Sequence, residues 1–303
     1  MKTRIIPDNL RTTIELHGQA GVAWLNRLPS TIADCERRWS LTVMAPFEPL
    51  SYNYVAPAIR ADGAGVVLKL GVPNPELLTE AEALRLYDGR GIVQLLDADL
   101  DQGILLLERL EPGTMLLDVA REDDEKATSI AAQVMRQLWI PAPPTGPFPP
   151  VARWADGLER LRDHFDGGSG PFPPTLVEMA ETLFDELIGS MAQRVLLHGD
   201  LHHYNILAAE RRPWLALDPK GLIGEPAYEI GAFLRNPRPQ PVHVLARRVD
   251  QFVQELGFDR ARIVGWGVAQ AVLSAWWSIE DHGHGWEPAI VCAERLAGLM
   301  GSA

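Results

Sequence analysis

The sequence predicts an α+β fold in which a smaller, β-rich half precedes a larger, mainly helical half. Short runs typical of strands follow one another between residues 41 and 113. One amphipathic stretch with helical spacing interrupts them after the third run, which places a helix within a five-stranded layer. Beyond a Pro-Gly pair the pattern becomes helical, so we expect a boundary near residues 110–113 and domains at 1–110 and 111–303.

Composition narrows the class of protein. The 303 residues are 47% hydrophobic and 22% charged, which is ordinary for a soluble globular protein. The net charge of −12 disfavours nucleic acid or an anionic membrane as partner and favours a cationic ligand. Cys35 and Cys292 are too few and too distant in sequence for a disulfide framework. Without a signal-peptide pattern or a long apolar run, the chain is expected to be cytoplasmic.

The first half is predicted to contain two N-terminal helices, five strands and one inserted helix. Residues 8–39 carry apolar side chains at helical spacing, with Pro29 as the break between two helices. Pro75 suits the first turn of the inserted helix, and Gly89 suits its end. The strand-like runs are residues 41–50, 51–60, 66–71, 92–99 and 103–113.

The second half is predicted to be helical apart from three short strands around a polar stretch. A Pro-rich segment at residues 140–150 is predicted to be an extended linker on the surface. The three strands are residues 194–197, 206–208 and 214–217, and the helices after them are residues 226–236, 242–256, 260–280 and 286–300.

The polar stretch His-Gly-Asp-Leu-His-His-Tyr-Asn, residues 198–205, carries the predicted chemistry. Asp200 is followed by Asn205 and, in a second turn between strands, by Asp218. A phosphoryl-transfer site needs this arrangement, because one carboxylate orients the attacking hydroxyl while an amide oxygen and a second carboxylate hold Mg²⁺ against the nucleotide phosphates. Loops between strands are where such side chains usually lie.

The same stretch is also compatible with two different roles. A turn rich in His and Asp that only caps a helix needs no chemistry. The pattern H-x-D-x-H-H also offers several metal ligands in six residues, as in a zinc-dependent hydrolase. The hydrolase alternative leaves Asn205 and Asp218 without a role.

Lys69 is the single charge in the apolar strand of residues 66–70. Such a lysine either reaches solvent at a sheet edge or clamps the α- and β-phosphates of a nucleotide. A clamping lysine needs a carboxylate from the next helix, and both Glu80 and Glu82 qualify. They are two residues apart and face different sides of the helix, so only one can point at Lys69.

Further nucleotide contacts are predicted at both ends of the strand-rich half. Ser51, in the turn that joins the first two strands, can bind phosphate through its hydroxyl and nearby backbone N–H groups. The backbone of Glu108 and Leu110, at the end of the fifth strand, can bind the adenine edge. An ordinary hairpin turn and a plain strand are the alternatives.

These motifs together resemble the aminoglycoside phosphotransferase family, whose fold is like that of protein kinases. HGDLHHYNIL resembles the family's H-G-D-x-x-x-x-N-I-L. LALDPKGLIGEPAYEIGAFLRNP resembles the streptomycin 6-phosphotransferase and hydroxyurea phosphotransferase branch, where D-P-K-G replaces the D-F-G of protein kinases. The resemblance covers nearly the whole chain. It implies a bilobal α+β fold, with a small five-stranded antiparallel N-terminal lobe that contains one helix and a larger, mainly helical C-terminal lobe.

The resemblance also implies roles for individual residues. By position, Asp200 matches the catalytic aspartate, Asn205 and Asp218 match the Mg²⁺ ligands, and Lys69 matches the phosphate-binding lysine. The first Glu of the family's E-A-E-A-L pattern pairs with this lysine, which selects Glu80. The implied phosphoryl donor is ATP.

A streptomycin-type substrate is a polycation, so the helical half must supply carboxylates and aromatic faces. Glu225 and Glu229 are four residues apart, which would place them on one face of a helix. Trp276 lies close in sequence to Glu280 and Asp281 and suggests a second binding surface. Core packing of Trp276 and a helix N-terminal role for Glu225 are the competing hypotheses.

The motifs and the resemblance together predict an ATP- and Mg²⁺-dependent O-phosphotransferase that acts on a small hydroxylated cationic molecule, and the resemblance implies a streptomycin-type antibiotic that it inactivates. A kinase for hydroxyurea, or for an endogenous sugar or amino alcohol, would use the same chemistry on another acceptor. A nucleotide-binding protein that no longer catalyses is the alternative of a different class. The presence of every polar residue named above argues against it.

Overall fold

The computed structural model describes residues 7–50, 52–237 and 239–300. The chain divides into two compact units, Met1–Glu111 and Pro112–Ala303. No helix in the described ranges is long and apolar enough to cross a bilayer.

The first unit combines three helices with one antiparallel sheet. Its elements are α1 (Asp8–Glu15), α2 (Gly18–Arg38), β1 (Leu41–Val43), β2 (Tyr54–Arg60), β3 (Gly65–Leu70), α3 (Pro75–Tyr87), β4 (Leu95–Asp99) and β5 (Ile104–Glu108). The strand order is β1-β2-β3-β5-β4. The predicted sheet of five strands with one helix after the third is confirmed. Buried side chains of α1, α2 and the sheet, including Leu28, Leu68 and Leu106, share one core.

The predicted helix break at Pro29 is wrong, because α2 runs from Gly18 to Arg38 without interruption. Proline removes one backbone donor from a helix interior. Pro29 lies on the exposed face, where water can satisfy the carbonyl that has lost its partner. Buried residues continue on both sides of it, so packing outweighs one lost hydrogen bond. These residues are Gly21, Trp24, Leu25, Leu28, Ile32 and Cys35.

Helix α3 begins and ends as its sequence predicts. The Asn74 side chain accepts a hydrogen bond from the Leu77 N–H at 2.9 Å, and Pro75 occupies the first turn. After Tyr87 the backbone turns left-handed at Asp88 and again at Gly89, where a helix cannot continue. The helix is thereby set at a defined position after β3, which carries Lys69.

The second unit is mainly helical and contains two small sheets. Its elements are β6 (Pro112–Met115), α4 (Leu116–Glu122), α5 (Asp124–Leu138), β7 (Ile140–Pro141), α6 (Val151–His164), α7 (Pro174–Gly189), β8 (Val195–Leu197), β9 (Ile206–Ala209), β10 (Trp214–Ala216), β11 (Leu222–Gly224), a 3₁₀ turn (Pro226–Glu229), α8 (Ile230–Leu234), α9 (Val242–Leu256), α10 (Arg260–His282) and α11 (Glu287–Met300). The sheets are ordered β10-β9-β6 and β11-β8-β7, and all their pairs are antiparallel. Helix α10 is buried along most of its length and packs against α6, α7, α8 and α11.

The Pro-rich segment at residues 140–150 differs from the predicted surface linker. Ile140 and Pro141 pair with β8, and the Ile223 N–H donates to the carbonyl of Pro149 at 2.9 Å. Phe148 is buried. Proline carbonyls still accept hydrogen bonds although the ring has no donor, so the segment can edge a sheet within the second unit.

Candidate active site

Strand pairing brings two loops of the second unit together. Residues 198–205 connect β8 to β9, and residues 217–221 connect β10 to β11. Because β8 pairs with β11 and β9 pairs with β10, both loops emerge at the same junction. The Lys220 N–H donates to the His198 carbonyl at 2.7 Å, and the Leu217 N–H donates to the Asn205 carbonyl at 3.0 Å. Asp200, Asn205 and Asp218 therefore lie on adjoining loops.

Gly199 makes the sharp turn into the first loop possible. Its φ of +88° is a conformation that residues with a Cβ rarely adopt. An added Cβ would lie 3.1 Å from the Leu222 side chain and 3.2 Å from that of Lys220. The His-Gly-Asp order therefore allows β8 to turn while the second loop packs directly against it.

His198 joins the two loops internally. Its Nε2 lies 2.8 Å from the Leu217 carbonyl, and its Nδ1 accepts the Asp200 N–H at 3.2 Å. Complete burial lowers the pKa of His198 to about 4, so the ring is neutral near pH 7. A neutral imidazole has one N–H, which these contacts place on Nε2. His198 is thus a structural link rather than an ion.

Asp200 presents a partly exposed carboxylate among cationic and hydrogen-bonding neighbours. Arg235 donates from Nη2 to Oδ1 at 2.8 Å, and Nε2 of His202 lies 3.5 Å from Oδ2. Burial alone would raise the pKa of the Asp200 carboxyl, but His202, Arg235 and Lys220 together hold it well below its usual range. The carboxylate is therefore ionised near neutral pH.

Asn205 and Asp218 supply oxygen donors beside Asp200. The Asn205 side chain is buried, and its Nδ2 donates to the Asp200 carbonyl at 2.9 Å, which fixes the amide orientation. Asp218 has a left-handed φ of 62°, a strained conformation that clusters at functional sites. An amide oxygen and a carboxylate suit Mg²⁺, which takes few protein ligands and completes its shell with phosphates and water. The donor set fits this ion.

The zinc alternative receives no support from the side-chain positions. Among the residues that the structure describes, no three His, Cys, Asp or Glu side chains form a group able to hold a metal ion. The three histidines of the pattern have separate surroundings. His198 bonds a backbone carbonyl, His202 faces Asp200, and His203 stacks on Phe233 with ring centroids 3.9 Å apart.

Glu229 binds the backbone of the loop of residues 198–205 (the catalytic loop, which carries Asp200) and does not face solvent. Its carboxylate accepts the His198 N–H at 2.7 Å and the Gly199 N–H at 2.9 Å, and the side chain is 1% exposed. Burial raises the pKa of Glu229 to about 7, although these backbone donors oppose the rise. The contacts weigh against the predicted substrate role of Glu229 and indicate a structural one.

Glu225 likewise has protein partners. It accepts hydrogen bonds from Nε of Arg262 at 2.6 Å and from the indole N–H of Trp266. Glu225 directly precedes a 3₁₀ turn and Glu229 is its last residue, so the expectation that both lie on one face of an α-helix is wrong. In a 3₁₀ turn, side chains three apart align rather than four.

In the first unit, Lys69 and Glu80 form a buried ion pair. The lysine Nζ lies 2.7 Å from each carboxylate oxygen, and the two residues are 5% and 6% exposed. Glu82 instead pairs with Arg85 on the outer face of α3. The structure thus selects Glu80 as the partner of Lys69.

The two predicted adenine contacts, Glu108 and Leu110, lie at the end of β5 and just after it. Glu108 exchanges two hydrogen bonds with Gln94: its N–H donates to the Gln94 carbonyl at 2.9 Å, and its Oε2 accepts the Gln94 N–H at 3.0 Å. Leu110 follows β5 and is half-buried. Ser51 lies outside the described residues, so its predicted phosphate contact stays a prediction.

The second predicted substrate surface consists of Trp276, Glu280 and Asp281, and these residues differ in burial. Trp276 is buried in α10, which agrees with core packing. Glu280 binds Arg160 through both oxygens, at 2.7 and 3.1 Å, on the outer face of the helix. Asp281 is exposed near the end of α10. The structure therefore does not bring the indole and the two carboxylates together as one binding surface.

Sequence reasoning missed Arg235 and the network behind it. Arg248 is 1% exposed and binds Asp124 through Nε at 3.1 Å and Nη2 at 2.5 Å. Its Nη2 also lies 3.4 Å from Nε2 of His203. In the sequence, Arg235 is a single charged residue after the apolar run IGAFL, within the segment that resembles the streptomycin and hydroxyurea phosphotransferases. Neither feature indicates that it binds Asp200.

Comparison with known proteins gives consistent matches. Residues 38–282 match the family model described as aminoglycoside/hydroxyurea antibiotic resistance kinase. The chain is 34% identical over 313 residues to the streptomycin 6-kinase of Streptomyces glaucescens, with 97% of each chain covered. It is also 34% identical over 275 residues to the hydroxyurea phosphotransferase of Kitasatospora aureofaciens, covering 87% of this chain and 77% of that protein.

Solved structures agree on the fold. The chain is similar to a thermostable mutant of aminoglycoside phosphotransferase APH(4)-Ia in a ternary complex with ADP and hygromycin B. The TM-score is 0.64 at 13% identity, and the match covers 89% of this chain and 98% of that one. At this identity the likeness concerns the fold alone, and it confirms the expected protein-kinase-like α+β architecture.

Proposed function

Because the chain belongs to the aminoglycoside/hydroxyurea antibiotic resistance kinase family, we propose that it transfers the γ-phosphoryl group of ATP to a hydroxyl of a streptomycin-type aminoglycoside. The observation that carries this proposal is the ionised, partly exposed Asp200 carboxylate beside Asn205 and Asp218 on adjoining loops. Streptomycin 6-kinase from Streptomyces glaucescens supports the choice of acceptor.

In this proposal Asp200 orients the acceptor hydroxyl for in-line attack and accepts its proton. An ionised carboxylate is required for both tasks, since a protonated one cannot accept a proton. Phosphoryl transfer leaves little covalent chemistry to the protein, so positioning and charge supply most of the acceleration. Asn205 and Asp218 would hold Mg²⁺. When bound, the ion neutralises the negative charge of the phosphates during transfer.

We assign nucleotide binding to the first unit. Lys69 would bind the α- and β-phosphates, with Glu80 fixing its direction, and the backbone of Glu108 and Leu110 would contact the adenine. Ser51, which precedes β2 in the sequence, is proposed as a phosphate contact. Acceptor chemistry is assigned to the second unit, where Glu280 and Asp281 are the remaining candidates for guanidino groups. A cytoplasmic location is part of the proposal, because ATP is supplied there.

A hydroxyurea kinase is the second candidate. The hydroxyurea phosphotransferase of Kitasatospora aureofaciens is as similar in identity as the streptomycin kinase named above. The two acceptors differ in charge, because streptomycin carries guanidinium groups and hydroxyurea is neutral. An acidic chain of net charge −12 favours the cationic acceptor.

An acceptor panel tests the proposal. ADP release is measured with ATP and Mg²⁺ plus streptomycin, hydroxyurea, a hexose or an amino alcohol, and the rate without acceptor is subtracted. We expect streptomycin to give the highest kcat/KM. A higher kcat/KM for another acceptor would mean that this acceptor, and not streptomycin, is the substrate. Release that never exceeds the background rate, with ATP still raising the melting temperature, would favour a nucleotide-binding protein without catalysis.

A further inference from the structure

We propose that Arg235 is a positioning residue that holds Asp200 in the rotamer required for transfer, tying one carboxylate oxygen and leaving the other for the acceptor hydroxyl. The proposal rests on the function proposed above. Arg235 is 35 positions from Asp200 in the chain, and its Nη2 donates to Oδ1 at 2.8 Å. The Arg235 side chain is 10% exposed, whereas that of Asp200 is 25% exposed. The Arg235 side chain is therefore less exposed than the carboxylate that it holds.

The bond between Arg235 and Asp200 uses a single donor. Within the described residues, Nε of Arg235 is buried and has no hydrogen-bond partner. A guanidinium that binds a carboxylate through two donors occupies both oxygens. Here Oδ2 faces Nε2 of His202 at 3.5 Å and is not bound by Arg235. One oxygen is thus fixed by charge while the second stays able to accept a proton from a hydroxyl.

Arg235 and Glu229 belong to one short segment that contacts the catalytic loop twice. Glu229 binds the backbone N–H groups of His198 and Gly199, and Arg235 binds the Asp200 carboxylate. Helix α8 lies between them, and each of its five residues is buried. The loop backbone and the Asp200 side chain are therefore held by the same rigid element.

The far end of this segment is also anchored. Arg248 donates from Nη1 to the carbonyl of Asn236 at 2.8 Å and to that of Phe233 at 3.4 Å, on either side of Arg235. Arg248 is itself paired with Asp124 at the start of α5. With its backbone held on both sides, Arg235 has little freedom to follow Asp200, so it dictates the carboxylate position.

Kinetics of Arg235→Gln and Arg235→Lys distinguish positioning from a purely structural role. We expect Arg235→Gln to lower kcat by about 100-fold with little change in the KM for ATP, since a small misplacement of a reacting group costs about that factor. Because only one donor is used, Arg235→Lys should recover most of the activity, which a two-donor site would not allow. Arg162→Gln is the matched control. It breaks an Arg–carboxylate pair with Glu181, both of whose bonds are 2.7 Å, elsewhere in the second unit.

A purely structural role predicts a different result. Arg235→Gln would then lower the melting temperature but keep the kcat of the folded enzyme within about threefold of wild type, like Arg162→Gln. That result would overturn the proposal, as would an Arg235→Lys variant no better than Arg235→Gln. A wild type inactive on every acceptor would instead defeat the proposed function.

A crystal structure of Arg235→Gln tests the positioning independently of any acceptor. We expect the Asp200 side chain to leave its wild-type rotamer in Arg235→Gln and to keep it in Arg235→Lys. An unchanged Asp200 rotamer in Arg235→Gln would refute the inference whatever the activity of the wild type.

Discussion

The two carboxylate–cation pairs that matter most for the proposed chemistry, Lys69–Glu80 and Arg235–Asp200, are built in opposite ways. In the first unit, Nζ of Lys69 contacts both oxygens of Glu80, and both residues are buried on regular elements. In the second unit, Arg235 contacts one oxygen of a partly exposed Asp200 on a loop. In the first pair, the lysine binds both carboxylate oxygens. In the second pair, the arginine binds Oδ1 of Asp200 and leaves Oδ2 able to accept a proton.

The difference also concerns what holds each acidic group in place. Glu80 lies on helix α3, which is set by local capping at Asn74 and by its position after β3. The loop that carries Asp200 is neither helix nor strand, so it lacks the regular backbone hydrogen bonds of those elements. Contacts with other parts of the second unit must therefore hold it in place. They come from Leu217, Glu229 and Arg235, which are distant in sequence. A loop can present a reactive group only when such contacts replace secondary structure.

The largest expected loss of activity follows from substitution of Asp200, because its Oδ2 is proposed to accept the proton of the acceptor hydroxyl. Asp200→Asn preserves shape but cannot accept the proton, so we expect kcat to fall by about 1,000-fold or more. The dissociation constant for ATP should stay within about twofold, since nucleotide contacts are assigned to the first unit. Asp118→Asn is the control, an exposed aspartate paired with Arg121 on α4. A kcat for Asp200→Asn near that of the control would remove Asp200 from the mechanism.

Substitutions in the buried Lys69–Glu80 pair can distinguish its effect on stability from its effect on ATP binding. Lys69→Met leaves Glu80 buried without its charge partner, and we expect a loss of about 3–5 kcal/mol in the free energy of unfolding. Lys69→Met combined with Glu80→Leu should recover most of that stability, because a buried ion pair replaced by apolar side chains is often neutral. The double variant should still bind ATP at least about tenfold more weakly, as measured by titration calorimetry.

Glu82→Gln is the matched control for Glu80→Gln, on the same helix two residues later but paired outward with Arg85. We expect Glu80→Gln to raise the KM for ATP by about tenfold and Glu82→Gln to leave it unchanged. Equal effects of the two substitutions would contradict the assignment of Glu80.

The buried His203 within the catalytic loop should make the second unit sensitive to acid. Burial, together with the neighbouring Arg248, lowers the pKa of His203 to about 2. The unfolded chain then binds a proton below about pH 6.5 that the folded protein does not, so stability is lost as the pH falls, by about 1.4 kcal/mol per pH unit. In urea unfolding, His203→Gln should flatten this slope by one proton. His243→Gln, at an exposed histidine on α9, is the matched control substitution.

The smallest predicted effect is that of Glu229 on stability, and its dependence on pH is opposite to that of His203. Burial raises its pKa from 4.5 to about 7, so between these values the folded protein keeps a proton that the unfolded chain has lost. This contribution to stability is present at low pH and is lost as the pH rises to about 7. We expect Glu229→Gln to cost about 1–2 kcal/mol near pH 5 and less near pH 8. A cost that grows with pH would show that Glu229 is ionised in the folded protein at low pH.

Local patterns predict much of this fold, and long-range contacts determine the rest. The strands around residues 198–205 and the helix that carries Glu80 follow from apolar periodicity, proline and glycine, which act over a few residues. Spacing alone could not show that Glu225 and Glu229 turn inward, because their partners, Arg262 and the catalytic-loop backbone, are about 30 or more residues away. Arg235 was missed for the same reason. Its importance depends on a carboxylate that only the folded chain brings near.

In the proposed mechanism, the Asp200 oxygen that Arg235 does not bind orients an alcohol for attack on the γ-phosphate, so the product is a phosphate monoester. ³¹P NMR of ATP, Mg²⁺ and streptomycin with the enzyme follows both fates in one sample. We expect the γ-phosphate signal to be replaced by that of a phosphate monoester of streptomycin with wild type, and to persist with Asp200→Asn. Conversion of ATP to ADP and inorganic phosphate at the same rate with and without streptomycin would contradict the claim.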